Sequence, residues 1–272
     1  MSIEKDTRPA QDRRVRPAWI PLGAFFVLAL LLAPIARLPA SIALAGIERW
    51  GGLPETITWE RAHGSVWDGG IGGLEMPAGP LGGLQWNVRP GALFHGEFHA
   101  DIHWTPPGGG ELQGILGLAG DRIEIAGLEG SLPAAALHQW DTGIPLVLDG
   151  HLQTSGLTLR IRRDGTVETA AGTLSWQHAA AGLPRPLPLG EQRATIRQQD
   201  QGLAIDLDAA PDAELAITGT LRLDLRTQPP GIDGRVELAP RDHADAAITR
   251  LLDNHLDRDN QGRYQWTTGS AP

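Results

Sequence analysis

The sequence has 272 residues, of which 23 are basic and 32 acidic, and it contains no cysteine. Residues 1–17 hold five of the basic and three of the acidic residues, so the remainder carries 18 basic against 29 acidic residues, a net charge of −11. Such an acidic surface argues against binding to nucleic acid or to anionic lipid through basic patches, and the lack of cysteine excludes disulfides and thiolate metal sites.

The first predicted element is the apolar segment 18–36, which carries no charged side chain along its 19 residues. As a helix it would be about 28 Å long, close to the thickness of the hydrocarbon core of a bilayer. Arginine is frequent in the leader 1–17, whereas only Arg37 follows the segment closely, and this asymmetry predicts a cytoplasmic N-terminus. The sequence therefore predicts one transmembrane helix, whose anchoring side chains are Leu22, Phe25, Phe26, Val27, Leu28, Leu30, Leu31 and Leu32.

A cleaved signal peptide is the alternative interpretation of the same segment. Ala43, Leu44 and Ala45 form an A-x-A pattern of the kind that signal peptidases cut. The polar leader is long for a signal, however, and the pattern lies well beyond the apolar run. We therefore favour a retained anchor, with a mature chain that begins near Met1 rather than at Gly46.

Beyond the anchor, residues 37–52 predict a short juxtamembrane helix that ends at a pair of glycines. From Leu53 onward the apolar period changes to two, so residues 53–272 are predicted to form one β-rich domain outside the cytoplasm. The clearest strand spans residues 94–104, where apolar and polar side chains alternate. The same alternation recurs at residues 112–118, 122–128, 152–161, 172–176, 203–207, 215–225 and 232–238.

Short connections between these segments, such as Asp164-Gly165 and Gln201-Gly202, predict an antiparallel meander of roughly a dozen strands. Only two further helices are predicted, one within residues 131–140 and one that begins near Asp242. This is too little helix to cover such a sheet. The predicted fold is therefore a mainly β domain whose sheet curls on itself into a folded or barrel-like shape.

No residue pattern points to catalysis, a metal or a cofactor. His95, His99 and His103 would share one face of a helix, but on the predicted strand residues four apart lie about 13 Å apart, too far to share one zinc ion. Residues 257–262 resemble the start of a calcium loop, yet Thr268 stands where that loop requires a glutamate. Because nucleophile and phosphate-binding motifs are also missing, we expect no enzyme activity, no cofactor and no metal.

One motif stands out in residues 56–73, TITWERAHGSVWDGGIGG. It resembles the opening of the type II secretion system protein N family, also called general secretion pathway protein N. In that family a membrane helix precedes a short strand and a G-[ST]-V-W-x-G turn, which corresponds here to Gly64, Ser65, Val66, Trp67, Asp68 and Gly69. A tryptophan strand that runs into a proline and a leucine is matched by Trp86, Pro90 and Leu93, and residues 262–266 are similar to the closing strand of the family. As a turn, the motif is also expected to bury Trp67 in the core.

The resemblance implies a single-pass inner-membrane protein of the machine that exports folded proteins across the outer membrane of Gram-negative bacteria. It implies a non-enzymatic accessory component whose periplasmic domain contacts other subunits, in the inner-membrane platform or the secretin. A second hypothesis follows from the apolar period of the strands: a curled sheet with an apolar trough that binds or transfers lipid for envelope biogenesis. A periplasmic hydrolase is a third hypothesis, without a motif in its favour.

Overall fold

Thirteen antiparallel strands, arranged in sequence order, form the sheet of the described residues. The computed structural model describes residues 34, 37–49, 57–76, 79–139, 147–182, 185–227, 231–256 and 258–268. The sheet belongs to the unit that begins at Pro39, and residues 1–38 form a separate unit. The strands are β1 (Arg61–Gly64), β2 (Asp68–Met76), β3 (Gly79–Val88), β4 (Phe98–Thr105), β5 (Glu111–Ala119), β6 (Arg122–Pro133), β7 (Val147–Arg162), β8 (Val167–Gly182), β9 (Leu187–Gln199), β10 (Gly202–Ala209), β11 (Leu215–Asp224), β12 (Gly231–Pro240) and β13 (Tyr264–Thr268).

The alternation in the sequence places one apolar face along the whole sheet. In β3 and β4, Trp86 lies opposite Ile102, while the neighbouring pair of Gln85 and His103 projects from the other face. Rows of the same kind continue to the far edge, where Val236 lies opposite Trp266. The predicted antiparallel meander is confirmed, and its period-two pattern does separate an apolar face from a polar one.

Four short helices accompany the sheet in the part of the chain that the structure describes from residue 37 onward: α1 (Ala40–Arg49), α2 (Pro90–Leu93), a 3-10 helix (Ala134–Gln139) and α3 (Ala246–Asp253). The side chain of Asp245 accepts a hydrogen bond from the backbone N–H of Ala247 over 2.8 Å and so caps α3. Ile248 and Leu252, four residues apart, form the buried side of this helix. Helices were predicted in all of these places except α2.

The main hydrophobic core lies where α3 and the 3-10 helix pack on the apolar face. Strands β7, β8, β9, β11 and β13 each contribute to it, and half-buried residues such as Leu137 and Trp176 surround it. Non-adjacent strands share this cluster because the sheet curls around the two helices. The buried members are Ala134, Leu148, Ala179, Ala181, Leu189, Leu215, Ile248, Leu252 and Tyr264.

The curl is also visible in the turns at the opposite end of β7 to β12. The backbone N–H of Val167, at the start of β8, donates to the carbonyl of Gln201 over 3.0 Å and so continues the β8–β9 pairing into the β9–β10 turn. A Cβ atom on Gly165, in the β7–β8 turn, would lie 2.4 Å from the carbonyl oxygen of Leu225 after β11. Three turns therefore converge at this end of the sheet.

Glycines permit the tight approach of β11 and β12. Gly219 has a φ of +155°, and a Cβ atom there would lie 2.3 Å from the carbonyl oxygen of Arg235. Gly234 is its counterpart on β12, with a φ of +159° and the same 2.3 Å distance to the carbonyl of Thr220. No other residue type fits these two positions without moving the neighbouring strand.

The sheet of the described residues is open, so the predicted barrel-like closure is wrong. Strands β1 and β13 are the two edges, and no register joins them within the described ranges. Closure is not needed to bury the apolar face because α3 and the 3-10 helix cover one end of it. The two helices thus bury this end of the apolar face, although β1 and β13 do not pair.

Two further details of the sheet differ from expectation. The strand predicted for residues 94–104 begins only at Phe98, since Phe94 lies in a turn after α2 and Gly96 adopts a φ of +76°. The whole of β9 was not predicted. Its inward positions mix Leu189 with Gln192, so its alternation is weak.

Of the predicted membrane segment 18–36 the structure describes only Pro34, so the transmembrane helix and its eight named side chains lie outside the described residues. Within the described ranges, no helix combines the length and apolar character needed to cross a bilayer. The A-x-A pattern of residues 43–45 lies inside α1.

Candidate functional site

The family motif forms the tight turn between β1 and β2. The Ser65 hydroxyl accepts hydrogen bonds from the backbone N–H groups of Trp67 (3.2 Å) and Asp68 (3.1 Å). The Ser65 N–H donates to the Asp68 carbonyl over 2.7 Å. At Gly64 the φ is +76°, and a Cβ atom would lie 2.4 Å from that same carbonyl oxygen. Glycine and serine are therefore required by the geometry of this turn.

The structure brings Trp86 of the tryptophan strand against this turn, although it lies twenty residues further along the chain. Its indole Nε1–H donates to the carbonyl of Val66 over 2.9 Å, and the backbone N–H of Val88 donates to the carbonyl of Trp67 over 2.6 Å. A Cβ atom on Gly69 would lie 2.9 Å from the Trp86 ring. Trp67 itself is half-buried and not part of the core, in contrast to expectation.

The end of β3 leads into α2, where the last two motif residues lie. Arg89 makes a bidentate ion pair with Asp101, with distances of 2.9 and 2.5 Å, and these hydrogen bonds hold the pKa of the Asp101 carboxyl below its ordinary value. Pro90 occupies the first turn of α2, where its missing N–H costs nothing. Leu93 ends this helix and Phe94 follows it, and both side chains are exposed to solvent.

A polar cleft of about 730 Å³ lies on the outer face of β3 to β6 beside this region. Its walls offer amides and carboxylates, and Arg89 is already paired with Asp101. Such a surface can hydrogen-bond to a polar partner, but it holds no nucleophile activated by an adjacent base. The polar side chains at the cleft are Asp68, Gln85, Asn87, Arg89, Asp101, His103, Gln113 and Glu129.

The three histidines whose spacing would suit a zinc site on a helix are kept apart, as the sequence indicated. His95 lies in the turn before β4, whereas His99 is 3.5 Å from Glu97 and His103 pairs with Glu111. Across the part of the chain that the structure describes, no three histidine or acidic side chains are placed to hold a metal ion. The imidazoles of His99 and His103 therefore contact separate carboxylates at the surface.

The loop that resembles a calcium site is organised by its own side chains. Asp259 Oδ1 accepts from the backbone N–H groups of Gln261 and Arg263, at 2.8 Å each. These hydrogen bonds lower the pKa of the Asp259 carboxyl, and the bond from Arg263 has the largest effect. Arg263 also pairs with Glu237 of β12 over 3.1 Å. The loop is thus tied to the sheet as a structural turn.

An apolar cavity of about 340 Å³ lies beneath α3. All of the side chains around it are apolar, and several of them, including Leu152, Trp176 and Leu238, are only half-buried. Native cores contain few voids larger than a water molecule, so a dry space of this size is unusual. Its lining residues are Leu137, Leu148, Leu152, Trp176, Ala181, Leu189, Leu215, Ile217, Leu238, Ile248, Leu251 and Leu252.

The two edges of the sheet differ in how they are protected. Beside β1, Pro39 forms a bridge with Ser65, and α1 follows directly. Beside β13, Arg258 bridges Tyr264, but no described strand pairs with the outer side of residues 265–268. This outer edge carries neither lysine nor proline, which often protect edge strands from pairing.

Tyr264 fastens this edge strand to α3. Its side chain is 0% exposed, and its hydroxyl donates to Asp253 Oδ1 over 2.6 Å. Burial, and then the bond to Asp253, raise the pKa of Tyr264 above its ordinary value.

Sequence reasoning missed the exposure of Phe94, and it predicted an apolar trough without identifying the residues that line the cavity. Phe94 looked like the first core residue of an alternating run, and only Gly96 close behind it indicated a turn. The cavity lining comes from seven separate elements, so no local pattern could reveal it.

Comparisons with known proteins agree with the motif. A family model described as Type II secretion system (T2SS), protein N matches residues 55–267, which extend from before β1 into β13. The Type II secretion system protein N of Vibrio cholerae serotype O1 is 29% identical over 170 residues, covering 61% of this chain and 64% of the relative. The matched part is thus less than two thirds of that relative. No solved structure matches the chain.

Proposed function

Because this chain belongs to the type II secretion system protein N family, we propose that it is a non-enzymatic accessory component of the type II secretion machine. In this proposal residues 18–36 anchor it in the inner membrane, with a cytoplasmic N-terminus, and the β-rich domain lies in the periplasm. There the domain contacts other secretion subunits, in the inner-membrane platform or the secretin. The observation that carries the proposal is the family match, which includes nearly the whole sheet.

The bare edge of β13 is the contact surface that we assign to this function. An edge strand presents unpaired N–H and C=O groups, and an extended segment of a partner satisfies them by adding a strand. Trp266 lies on the apolar face at this edge, opposite Val236, and offers apolar area to the side chains of such a strand. The acidic surface of the domain adds a preference for basic partner segments.

Site-specific photocrosslinking in native membranes tests this assignment. A photoreactive amino acid replaces Thr267 on the outer edge, and in a matched control it replaces Arg222 on the interior strand β11. Both side chains are exposed, so they differ mainly in access to the edge. We expect identified secretion subunits to be cross-linked from position 267 and not from position 222. Recovery of no secretion subunit from position 267, nor from a general cross-linking pull-down, would contradict the proposed function.

A second candidate function, the binding of lipid chains, is favoured by the apolar cavity. An apolar cavity of about 150 Å³ in another protein binds benzene, and the cavity here is more than twice as large. Leu152, Trp176 and Leu238 in its lining are only half-buried, so the cavity is not fully closed off from the surface. An aliphatic chain therefore fits the site by size and polarity.

Filling the cavity tests this candidate. Ala181→Phe places a ring into the space, whereas Ala171→Phe alters an exposed position on the same strand. A fatty acid with a photoreactive group on its chain should label cavity peptides of the full-length protein and of the Ala171→Phe variant. The Ala181→Phe variant should lose this labelling. Equal labelling of both variants would exclude the cavity as a lipid site and leave the secretion function untouched.

A further inference from the structure

Phe94 is the most exposed large apolar side chain among the described residues, with 91% of its surface open to solvent. Its neighbour Leu93 is 41% exposed. Large apolar side chains that stand together at the surface often mark an interaction site.

The backbone around Phe94 is well bonded and holds the side chain outward. The N–H of His95 donates to the carbonyl of Ala92 over 2.9 Å, and that of Gly96 donates to Leu93 over 3.0 Å. The N–H of Glu97 reaches back to Ala92 over 3.2 Å. This is a tight turn at the end of α2, so the exposure of Phe94 is part of a defined loop structure.

The pair lies at the end of the domain where the chain enters it. Pro39, the first residue of the unit, bridges Ser65 in the motif turn. Through Trp67 the same turn is hydrogen-bonded to Val88, one residue before Arg89 and α2. The entry point of the chain and the exposed pair therefore flank one turn. Ile42, in the first turn of α1 close to the entry point, is also 59% exposed.

In the proposed function, the anchor of residues 18–36 places a membrane next to this end. Only Arg37 and Leu38 separate the apolar segment 18–36 from Pro39. A chain spans at most about 3.6 Å per residue, so Pro39 lies within about 11 Å of the end of the apolar segment. The polar interfacial layer on each side of a bilayer is itself about 5–7 Å thick. An exposed apolar loop at this end is therefore within reach of lipid.

We propose that Leu93 and Phe94 insert into the periplasmic interface of the membrane that holds the anchor. The inference rests on the proposed function, because it requires the retained helix. With two points of attachment, the anchor and the loop, the domain is held in one orientation, with its motif turn towards the membrane. The loop has no excess of basic side chains, since Arg89 is paired with Asp101 and His95 is followed by Glu97. Insertion is thus apolar, and salt does not weaken it.

The lack of cysteine makes a precise test possible. In the full-length protein, Phe94→Cys is labelled with an environment-sensitive nitrobenzoxadiazole dye and reconstituted into phosphatidylethanolamine and phosphatidylglycerol vesicles that contain a spin-labelled quencher lipid. The matched control is Val147→Cys, another exposed apolar residue (38%), at the opposite end of the strands. We expect the label at position 94 to lose most of its emission to the quencher and the label at 147 to lose little. Salt at about 1 M, where the Debye length is about 3 Å, should not restore the emission.

The outcomes separate this inference from the function on which it rests. If the protein sediments with vesicles and its intact mass includes residues 18–36, but both labels are quenched equally, the membrane docking of Leu93 and Phe94 is refuted and the anchor stands. If the protein does not sediment with vesicles, the anchored function fails and the inference fails with it. Quenching at position 94 that disappears at high salt would refute apolar insertion and would indicate a charge-dependent contact in its place.

Discussion

Tyr264 is the single tyrosine of the chain, so its titration can be followed without interference from another phenol. Because burial and the bond to Asp253 raise its pKa, the folded protein should show no tyrosinate absorbance near pH 10, where a free tyrosine is half ionised. The absorbance should appear only at higher pH, together with unfolding. A titration of the folded protein near pH 10 would refute the buried, hydrogen-bonded position of this side chain.

The substitution Tyr264→Phe removes only the hydroxyl and its 2.6 Å bond to Asp253. A hydrogen bond to a charged group contributes about 1.5–3 kcal/mol, so we expect the free energy of unfolding to fall by about 2 kcal/mol. For a domain of about 200 residues this lowers Tm by about 4–8 °C. Thermal unfolding of the full-length protein in detergent, combined with Asp253→Ala and the double variant, measures the coupling of the two side chains. A Tm shift below about 1 °C, or additive effects of the two substitutions, would contradict the bond.

The same pair gives a signed dependence on pH. The pKa of Tyr264 is raised on folding, so its contribution to stability is complete below the unfolded pKa of about 10 and is lost as the pH rises through the folded value. Wild-type protein should therefore lose Tm between about pH 10 and higher pH faster than the Tyr264→Phe variant. Parallel Tm curves for the two proteins over this range would show that the phenol is not the group responsible.

Three further substitutions test the turns and the curl by Tm measurements. Gly219→Ala should lower the free energy of unfolding by about 1–3 kcal/mol or more, because the φ at this position is strained for alanine and the added Cβ would meet the carbonyl of Arg235. Gly72→Ala is the control, because nothing lies within 4 Å of an added Cβ there, and its Tm should change little. Equal effects of the two glycine variants would refute the close strand approach. Asp245→Ala should lower the free energy of unfolding by about 1 kcal/mol, because it removes the cap of α3. Asp245→Asn should keep most of the stabilisation by the cap. Ser65→Ala should cost about 0.5–1.5 kcal/mol through its lost bonds to the motif turn, and an unchanged Tm would show that these bonds add nothing to stability.

The strands could be predicted because each has a polar and an apolar side, and the pleat converts that alternation into faces. β9 could not, because its inward residues include Gln192, whose Nε2 donates to the carbonyls of Leu189 and Leu215. That amide is acceptable inside the core only because two strands supply its acceptors. Such a partnership is invisible in a local pattern.

The shape of the sheet was less accessible to prediction. Whether it closes depends on how strands approach at positions such as Gly219 and on where α3 packs. Both are set by contacts between residues far apart in the sequence. Composition showed that little helix was available, but α3 and the 3-10 helix are placed so that a small amount is enough at one end.

For the candidate site, the motif residues were found from their resemblance, but their contacts were not. The bond from Trp86 to Val66 crosses from β3 to the β1–β2 turn, and the register that allows it is set by the whole hairpin. The exposure of Phe94 was hidden for the opposite reason. A phenylalanine in an alternating run predicts a core position. In the structure the four-residue helix α2 comes directly before Phe94, and the side chain points outward from the turn that follows it.

The strictly sequential order of the sheet has a consequence for how the protein folds. Each strand pairs only with its neighbours in the sequence, so no pairing has to join strands from distant parts of the sheet. Hairpins can form one after another as the chain is synthesised from its N-terminus. The exception is β13, which must wait for the long segment between Pro240 and Tyr264, including α3. Until it arrives, β12 is the growing end of the sheet, and a chain cut before Tyr264 would keep that edge open.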